Sequence, residues 1–428
     1  MRTLLLSLLA FTSAPALAQS VAITGGKVVI GDGSAPIEGG TVVINNGRVV
    51  AAGRNVAVPA GATRIDATGK WVTTGIVAGF ARVGLVGVDA VNDSNDTAAN
   101  TSPFSASLDM APAVNPDVAA IAVNRAAGVT RVVVSPDAPN GSIFGGQGVI
   151  IDTGADPNGV TKARAFQFAE FGEAGARRAG GSRPALYAAF RNALAEARAY
   201  AAGRLPDDAL LKRADAAALV PVANGTQKLV IHVESANDIL AVLALKREMP
   251  ALDIVLVGVT EGWRVASQIA ASGVPVIASA VNDLPGSFEQ IAATQSNVGR
   301  MKAAGVNLAI GMIDDDDTRQ AMHATQYAGN LVALTRIPGA AGLSWNDAFA
   351  AITSKPAQVM GMGGEIGSLL PGRRADVVMW DGDPLEVSTG VEAVWIDGVR
   401  QPLETRQTRL RDRYANPQEG QLPKAYDR

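Results

Sequence analysis

The sequence predicts an α/β protein in which a TIM-type (β/α)8 barrel fills the middle of the chain and a small β-sandwich is formed by both chain ends. Three observations carry this. Between residues 73 and 362, apolar runs of strand length alternate with longer helical stretches, the pattern of parallel strands joined by crossover helices. Residues 21–70 are short strands and polar turns, and Asn46-Gly47 lies between two Val-rich runs, where a tight hairpin needs positive φ. Residues 363–402 return to short strands and turns, so the two ends can complete one β domain.

In chain order, the first eighteen residues combine one basic side chain, an apolar run too short to span a bilayer and an Ala16-Leu17-Ala18 exit, the marks of a signal peptide cut before Gln19. The expected compartment is a bacterial periplasm or the exterior. The first part of the β-sandwich is expected at 19–72, the barrel at 73–362 and the second part of the sandwich at 363–402. Barrel strands are expected at 75–81, 129–135, 228–233, 253–258, 274–278 and 306–311, with the remainder between 147 and 200. Helices are expected at 236–248, 263–272 and 292–304, and the Ala-rich stretch 184–202 predicts a surface helix. Residues 403–428, rich in Arg, Gln, Glu and Pro, predict an extended or partly disordered polar tail.

Composition narrows the chemistry. With 48% hydrophobic and 18% charged residues the chain is globular, and a net charge of -3 offers nucleic acid no basic field. Beyond the signal peptide no apolar stretch has the length of a membrane span. The absence of cysteine excludes disulfides, thiolate nucleophiles and Cys-based zinc sites. Only two histidines exist, His232 and His323, whereas hydrolytic zinc sites usually take two or three imidazoles. No Gly-x-Ser-x-Gly elbow occurs. The glycines around Gln147, in F-G-G-Q-G, lack the Lys-Ser/Thr of a phosphate loop and are expected in a turn beside the barrel mouth.

The stretch V-T-T-G-I-V-A-G-F-A-R-V-G-L-V-G-V, beginning at Val72, resembles the first barrel strand of the amidohydrolase superfamily, T-P-G-L-I-D-x-H-x-H-L-G. The resemblance extends over most of residues 21–400 and is greatest to the imidazolonepropionase-like branch. It includes I-T-S-K-P-A-Q-V-M-G-M and I-G-S-L-L-P-G-R-R-A-D-V-V-M-W-D-G-D-P-L near the C-terminus. It implies one or two divalent metals, such as zinc, at the C-terminal mouth of the barrel. It further implies hydrolysis of an amide or cyclic-amide C–N bond by metal-activated water, with an aspartate after strand eight moving the proton. In this chain Ala78 stands at the aspartate, and Phe80 and Arg82 stand at the two histidine ligands. His232 matches a ligand position on strand five, Val257-Gly258-Val259 replaces the strand-six histidine, and Ile313 or Asp314 falls at the strand-eight aspartate. Glu170 and Glu173 are the candidates for a bridging ligand.

These residues set the expectations for the site. Asp314 is the candidate catalytic base, and Phe80, Arg82, His232, Glu234 and Glu261 are expected to line the pocket. Arg82, a fixed cation where a metal is lost, is expected to pair with Asp314 or Glu234. His232 has two readings, a remaining metal ligand or a hydrogen-bonded residue at the mouth. The acidic run 314–317 either holds a hard cation or caps the next helix, and His323 is expected at a surface or interface. Two function classes follow. One is a secreted hydrolase whose ligands have moved to carboxylates; the other is a non-catalytic relative that keeps the pocket for a small molecule or pairs with an active homologue. Ligand arithmetic favours the second and family membership favours the first; the family's metal is expected to be absent, with no nucleic-acid partner, no membrane span, and a homo- or heterodimer as the expected assembly.

Overall fold

The computed structural model describes residues 20–88, 90–313 and 320–415, so the expected signal peptide, Asp314 and the acidic run around it lie outside the described residues. Five strands open the described chain: β1 (Val21–Val29), β2 (Ile37–Asn45), β3 (Arg48–Gly53), β4 (Thr63–Asp66) and β5 (Trp71–Thr74). The barrel follows with β6 (Ile76–Ala81), β7 (Val129–Val134), β8 (Phe144–Asp152), β9 (Val160–Glu170), β10 (Lys228–Val233), β11 (Asp253–Gly258), β12 (Val276–Ser279) and β13 (Leu308–Gly311). Three strands close the chain's fold: β14 (Val377–Trp380), β15 (Val391–Ile396) and β16 (Val399–Arg400).

The two ends form one sheet of order β16-β15-β14-β5-β1-β2-β3, with β4 also paired to β1. The joint is the antiparallel pairing of β14 with β5, from Val377 opposite Thr74 to Trp380 opposite Trp71. Asn46 (φ 50°) and Gly47 (φ 72°) make the expected tight turn, and Asp397 (φ 50°) and Gly398 (φ 76°) repeat it between β15 and β16. The two tips touch, since a Cβ on Gly47 would lie 2.8 Å from Asp397 O. The sheet therefore folds over on itself around Ile23, Val42, Ile44, Val72, Val377 and Trp395, all buried. Each such aliphatic side chain contributes about 1.5–3 kcal/mol when fully withdrawn from water.

The second sheet curls into the barrel in the order β6 to β13, and Met312 N donates to Phe80 O at 3.0 Å where its edges meet. Strands β10 and β11 coincide with the sequence expectation, as does helix Ala236–Glu248, which Ser235 caps by accepting from Asp238 N. Helix Arg183–Ala201 also forms as expected, but it buries Leu186, Phe190 and Leu194 and is surface on one side only. One strand departs from a uniformly parallel barrel: β8 runs antiparallel to both β7 and β9. It carries the glycines expected in a turn. A Cβ on Gly148 would overlap the Phe166 ring, and one on Gly145 would come within 2.8 Å of Phe168, so these glycines give aromatic rings room against a strand.

The residues after 403 also differ from expectation. Arg406–Ala415 is a helix with no buried residue, and not an extended tail. Among the described residues no helix is long and apolar enough to cross a membrane.

A buried arginine ties the two sheets together. Arg131, in the middle of β7, is fully buried. Its guanidinium binds Asp376 through two bonds (2.7 and 2.9 Å), pairs with Asp397 at 2.9 Å and with Asp152 at 3.4 Å, and donates to Thr161 Oγ1 at 2.7 Å. Asp376 precedes β14 and Asp397 lies in the β15–β16 turn, so one barrel cation anchors the C-terminal half of the sandwich.

Candidate functional site

The barrel mouth is built from the C-terminal ends of its strands. His232, near the end of β10, lies in register with Glu170, the last residue of β9, which places both side chains on one face. Glu234, two residues on, returns to the same face. His232 Nδ1 is 2.7 Å from Glu170 Oε1, and Nε2 is 2.7 Å from Glu234 Oε1. Glu170 and Glu234 are buried, and the imidazole side chain is 22% exposed. The second oxygen of Glu234 accepts from Thr260 N at 2.8 Å.

Both ring nitrogens face acceptors, so both carry hydrogen and the ring is an imidazolium. Burial alone would push its pKa down, but the charges and hydrogen bonds of Glu170 and Glu234 outweigh it and hold the pKa well above 6.5. Gly258 makes this possible. It ends β11 at φ 89°, and a Cβ there would overlap Glu234 Oε1 and lie 2.9 Å from His232 Cδ2. The space that a strand-six side chain would fill is taken by the Glu234–His232 pair. Gly258→Ala is expected to cost about 2 kcal/mol or more, from left-handed backbone strain and the displaced carboxylate, read as a lower denaturant midpoint with unchanged slope.

A third carboxyl closes on this cluster. Glu289, in the segment after β12, accepts from Glu173 N at 2.7 Å, and a Cβ on Gly172 would overlap its Oε2. Burial pushes its carboxyl up; the Glu173 N–H and His232 oppose this, while Glu173 and Glu234 add to it. Glu170 and Glu173, left as alternatives by the sequence, thus have different duties: one binds the imidazole, and the other's backbone holds Glu289.

The remaining sequence candidates disperse. Ala78 faces the outer core, between sheet and helices. Phe80 is buried in the barrel interior with Phe166, Val257 and Ile277, its ring 6.0 Å from that of Phe168, and fills the space above the barrel axis. Arg82 does not pair with Glu234, whose two oxygens are committed to His232 and Thr260. It lies 3.7 Å from Asp137, which Arg178 approaches from the other side at 3.5 Å. Glu261 does not line the pocket: its oxygens accept from Ala236 N (3.1 Å) and Ala292 N (2.9 Å), and Arg264 pairs with it at 3.0 Å, so it brackets a helix start to the segment after β12. His323 is half-buried against Tyr327, in a cleft that also borders Trp380 and Leu385 of the sandwich side. The expected catalytic Asp314 lies outside the described residues.

The donor set does not fit a divalent metal. Neither nitrogen of His232 has a free lone pair, Phe80 offers no donor and Arg82 is a fixed cation. Among the described residues no three His, Asp or Glu side chains are disposed to hold one ion. The cation that balances Glu170 and Glu234 is the protein's own imidazolium.

A family model described as an amidohydrolase family matches residues 264–400. The chain is 45% identical over 60 residues to "Amidohydrolase tasK" of Hapsidospora irregularis, which is 14% of this chain and 6% of that protein. It is 33% identical over 125 residues to imidazolonepropionase of Maricaulis maris (strain MCS10), 29% of this chain and 28% of that one. The chain therefore spans well under a third of the length of either curated relative. In fold it is similar to a solved amidohydrolase from Thermotoga maritima MSB8, with a TM-score of 0.77 and 24% identity over 89% of this chain and 99% of the other. Fold and mouth together define a β/α-barrel protein with a split β domain. Within that class the chain matches an amidohydrolase family model over residues 264–400 and shares its fold with a solved amidohydrolase.

Proposed function

We propose that this chain is a secreted, periplasmic member of the amidohydrolase superfamily, a group whose chemistry is C–N bond hydrolysis, in which metal-dependent catalysis has been lost and the mouth persists as a small-molecule pocket. One observation carries the reading: each nitrogen of the only imidazole at a ligand position sits 2.7 Å from a carboxylate, which ties up the donors that a metal would need. Phe80 and Arg82 at the other two ligand positions support it, and the segment 1–18 supports export. Fold alone argues for nothing beyond membership, since barrels of this kind host many chemistries.

The test is metal content and turnover together. Protein purified without chelator is expected to hold far less than one equivalent of zinc, manganese, iron or nickel. It is expected to show no hydrolysis of N-acyl amino acids, dipeptides or cyclic amides, with or without added metal. About one tightly held equivalent per chain, with turnover that added metal restores and His232→Ala removes, would overturn the proposal.

A further inference from the structure

The end of the barrel opposite His232 carries a second concave site. The first residues of β10 and β11 and the early part of β9 border a cleft of about 810 Å³, within the range of small-molecule sites. It lies roughly 13 Å from His232 along β10, at four residues of strand rise. One wall is a single face of helix Arg213–Ala223, where Ala214, Ala217, Ala218 and Pro221 recur at i, i+3, i+4 and i+7. These side chains are small and apolar, and they make a flat surface.

The facing wall is polar and carries one unbalanced charge. Lys228 pairs with Asp253 at 2.9 Å and Arg164 pairs with Asp109 at 2.7 Å, while Lys162 has no carboxylate partner among the described residues. Arg164 is held at φ 48°, a conformation that costs a non-glycine residue on the order of 1–3 kcal/mol and that concentrates at binding sites. Gln227 donates to Arg164 O at 2.9 Å and to Gln147 Oε1 at 3.3 Å, yet its own Oε1 is buried without a hydrogen-bond partner. A buried acceptor left unmade costs about 1–3 kcal/mol, which a donor supplied by a ligand would recover once the Gln227 amide turns this oxygen, closed off from solvent in the free protein, toward the cleft.

We propose that this cleft binds a small organic monoanion with a flat apolar body and one N–H donor. The body lies on the alanine face, the anionic group meets Lys162, and the N–H turns toward Gln227 Oε1. The site is independent of the mouth and of whatever occupies it.

Indole-3-acetate has these three features and serves as the probe, with neutral indole-3-acetamide as its control, in calorimetric titration of the full mature chain. The expected result is saturable one-to-one binding, at least about tenfold weaker for the amide, the equivalent of about 1.4 kcal/mol. Lys162→Glu, an exposed position that leaves folding intact, and Ala217→Trp, which fills the cleft, are each expected to weaken binding by at least about tenfold. Absence of saturation by about 10 mM, equal binding of acid and amide, or binding by Lys162→Glu within about twofold of the parent would overturn the proposal.

Discussion

Replacing Arg131 with alanine is expected to lower the unfolding free energy by about 3–5 kcal/mol, the range for removing one partner of a buried ion cluster. The guanidinium has no exposed surface, and three carboxylates converge on it from separate segments. Without it, Asp376, Asp397 and Asp152 face one another with only Arg374, bound to Asp397 at 2.8 Å, to offset them. The effect carries a pH signature. Burial already pushes the Asp152 carboxyl up to about 6, with Arg131 holding it down against that push. A carboxyl whose folded pKa is raised makes the folded state bind more protons than the unfolded, so stability rises as pH falls through the folded value toward the unfolded one. Arg131→Ala is therefore expected to regain part of its lost stability between pH 8 and pH 5, measured by urea denaturation across that range. A loss below about 1 kcal/mol, with no pH trend, would show that the two sheets do not depend on this clamp.

His232→Gln is expected to be the second severe substitution, at about 3–5 kcal/mol near pH 7, because it leaves Glu170 and Glu234 buried beside each other without their cation. The sign of its pH dependence follows from the raised imidazole pKa. The imidazolium contributes stability that is fully present below the unfolded value of about 6.5 and is lost as pH rises through the higher folded value. The parent protein should therefore lose stability on the alkaline side more steeply than His232→Gln does. The imidazole proton signals should report the charged form at pH 7.5. Near-identical stability of the two proteins from pH 6 to 9 would mean that His232 is a neutral residue awaiting a ligand, and the imidazolium account would fail.

Much of this architecture was legible in the sequence, and the reason is locality. The turn at Asn46-Gly47 needs positive φ at two consecutive residues, which few other residue pairs tolerate, so two letters specify a hairpin. The strands at Lys228–Val233 and Asp253–Gly258 and the helix between them follow from short-range apolar periodicity and a serine cap. The strand β8 was not legible, because its glycines signal a turn by propensity and only the Phe166 and Phe168 rings, brought from β9, explain why they must be glycine. The same holds for Arg131: an arginine inside an apolar strand is a visible anomaly, yet its three partners lie 21 to 266 residues away in sequence, as Asp152, Asp376 and Asp397.

The sequence by itself determined the fold class and that Phe80 and Arg82 stand where the resemblance expects two histidines, since both depend on which residue occupies a position. Only the tertiary structure decided which cation sits between the carboxylates at the barrel mouth. Arg82 was the cation visible at the right place in the sequence, but it turns to Asp137, and the charge between Glu170 and Glu234 comes from His232. That choice rests on strand register, which sets Glu170 beside His232 across 62 residues of chain, and on the space at Gly258 that admits Glu234. Charge partners are fixed by distances of a few ångströms between segments far apart in the chain, and those distances exist only once the barrel has closed.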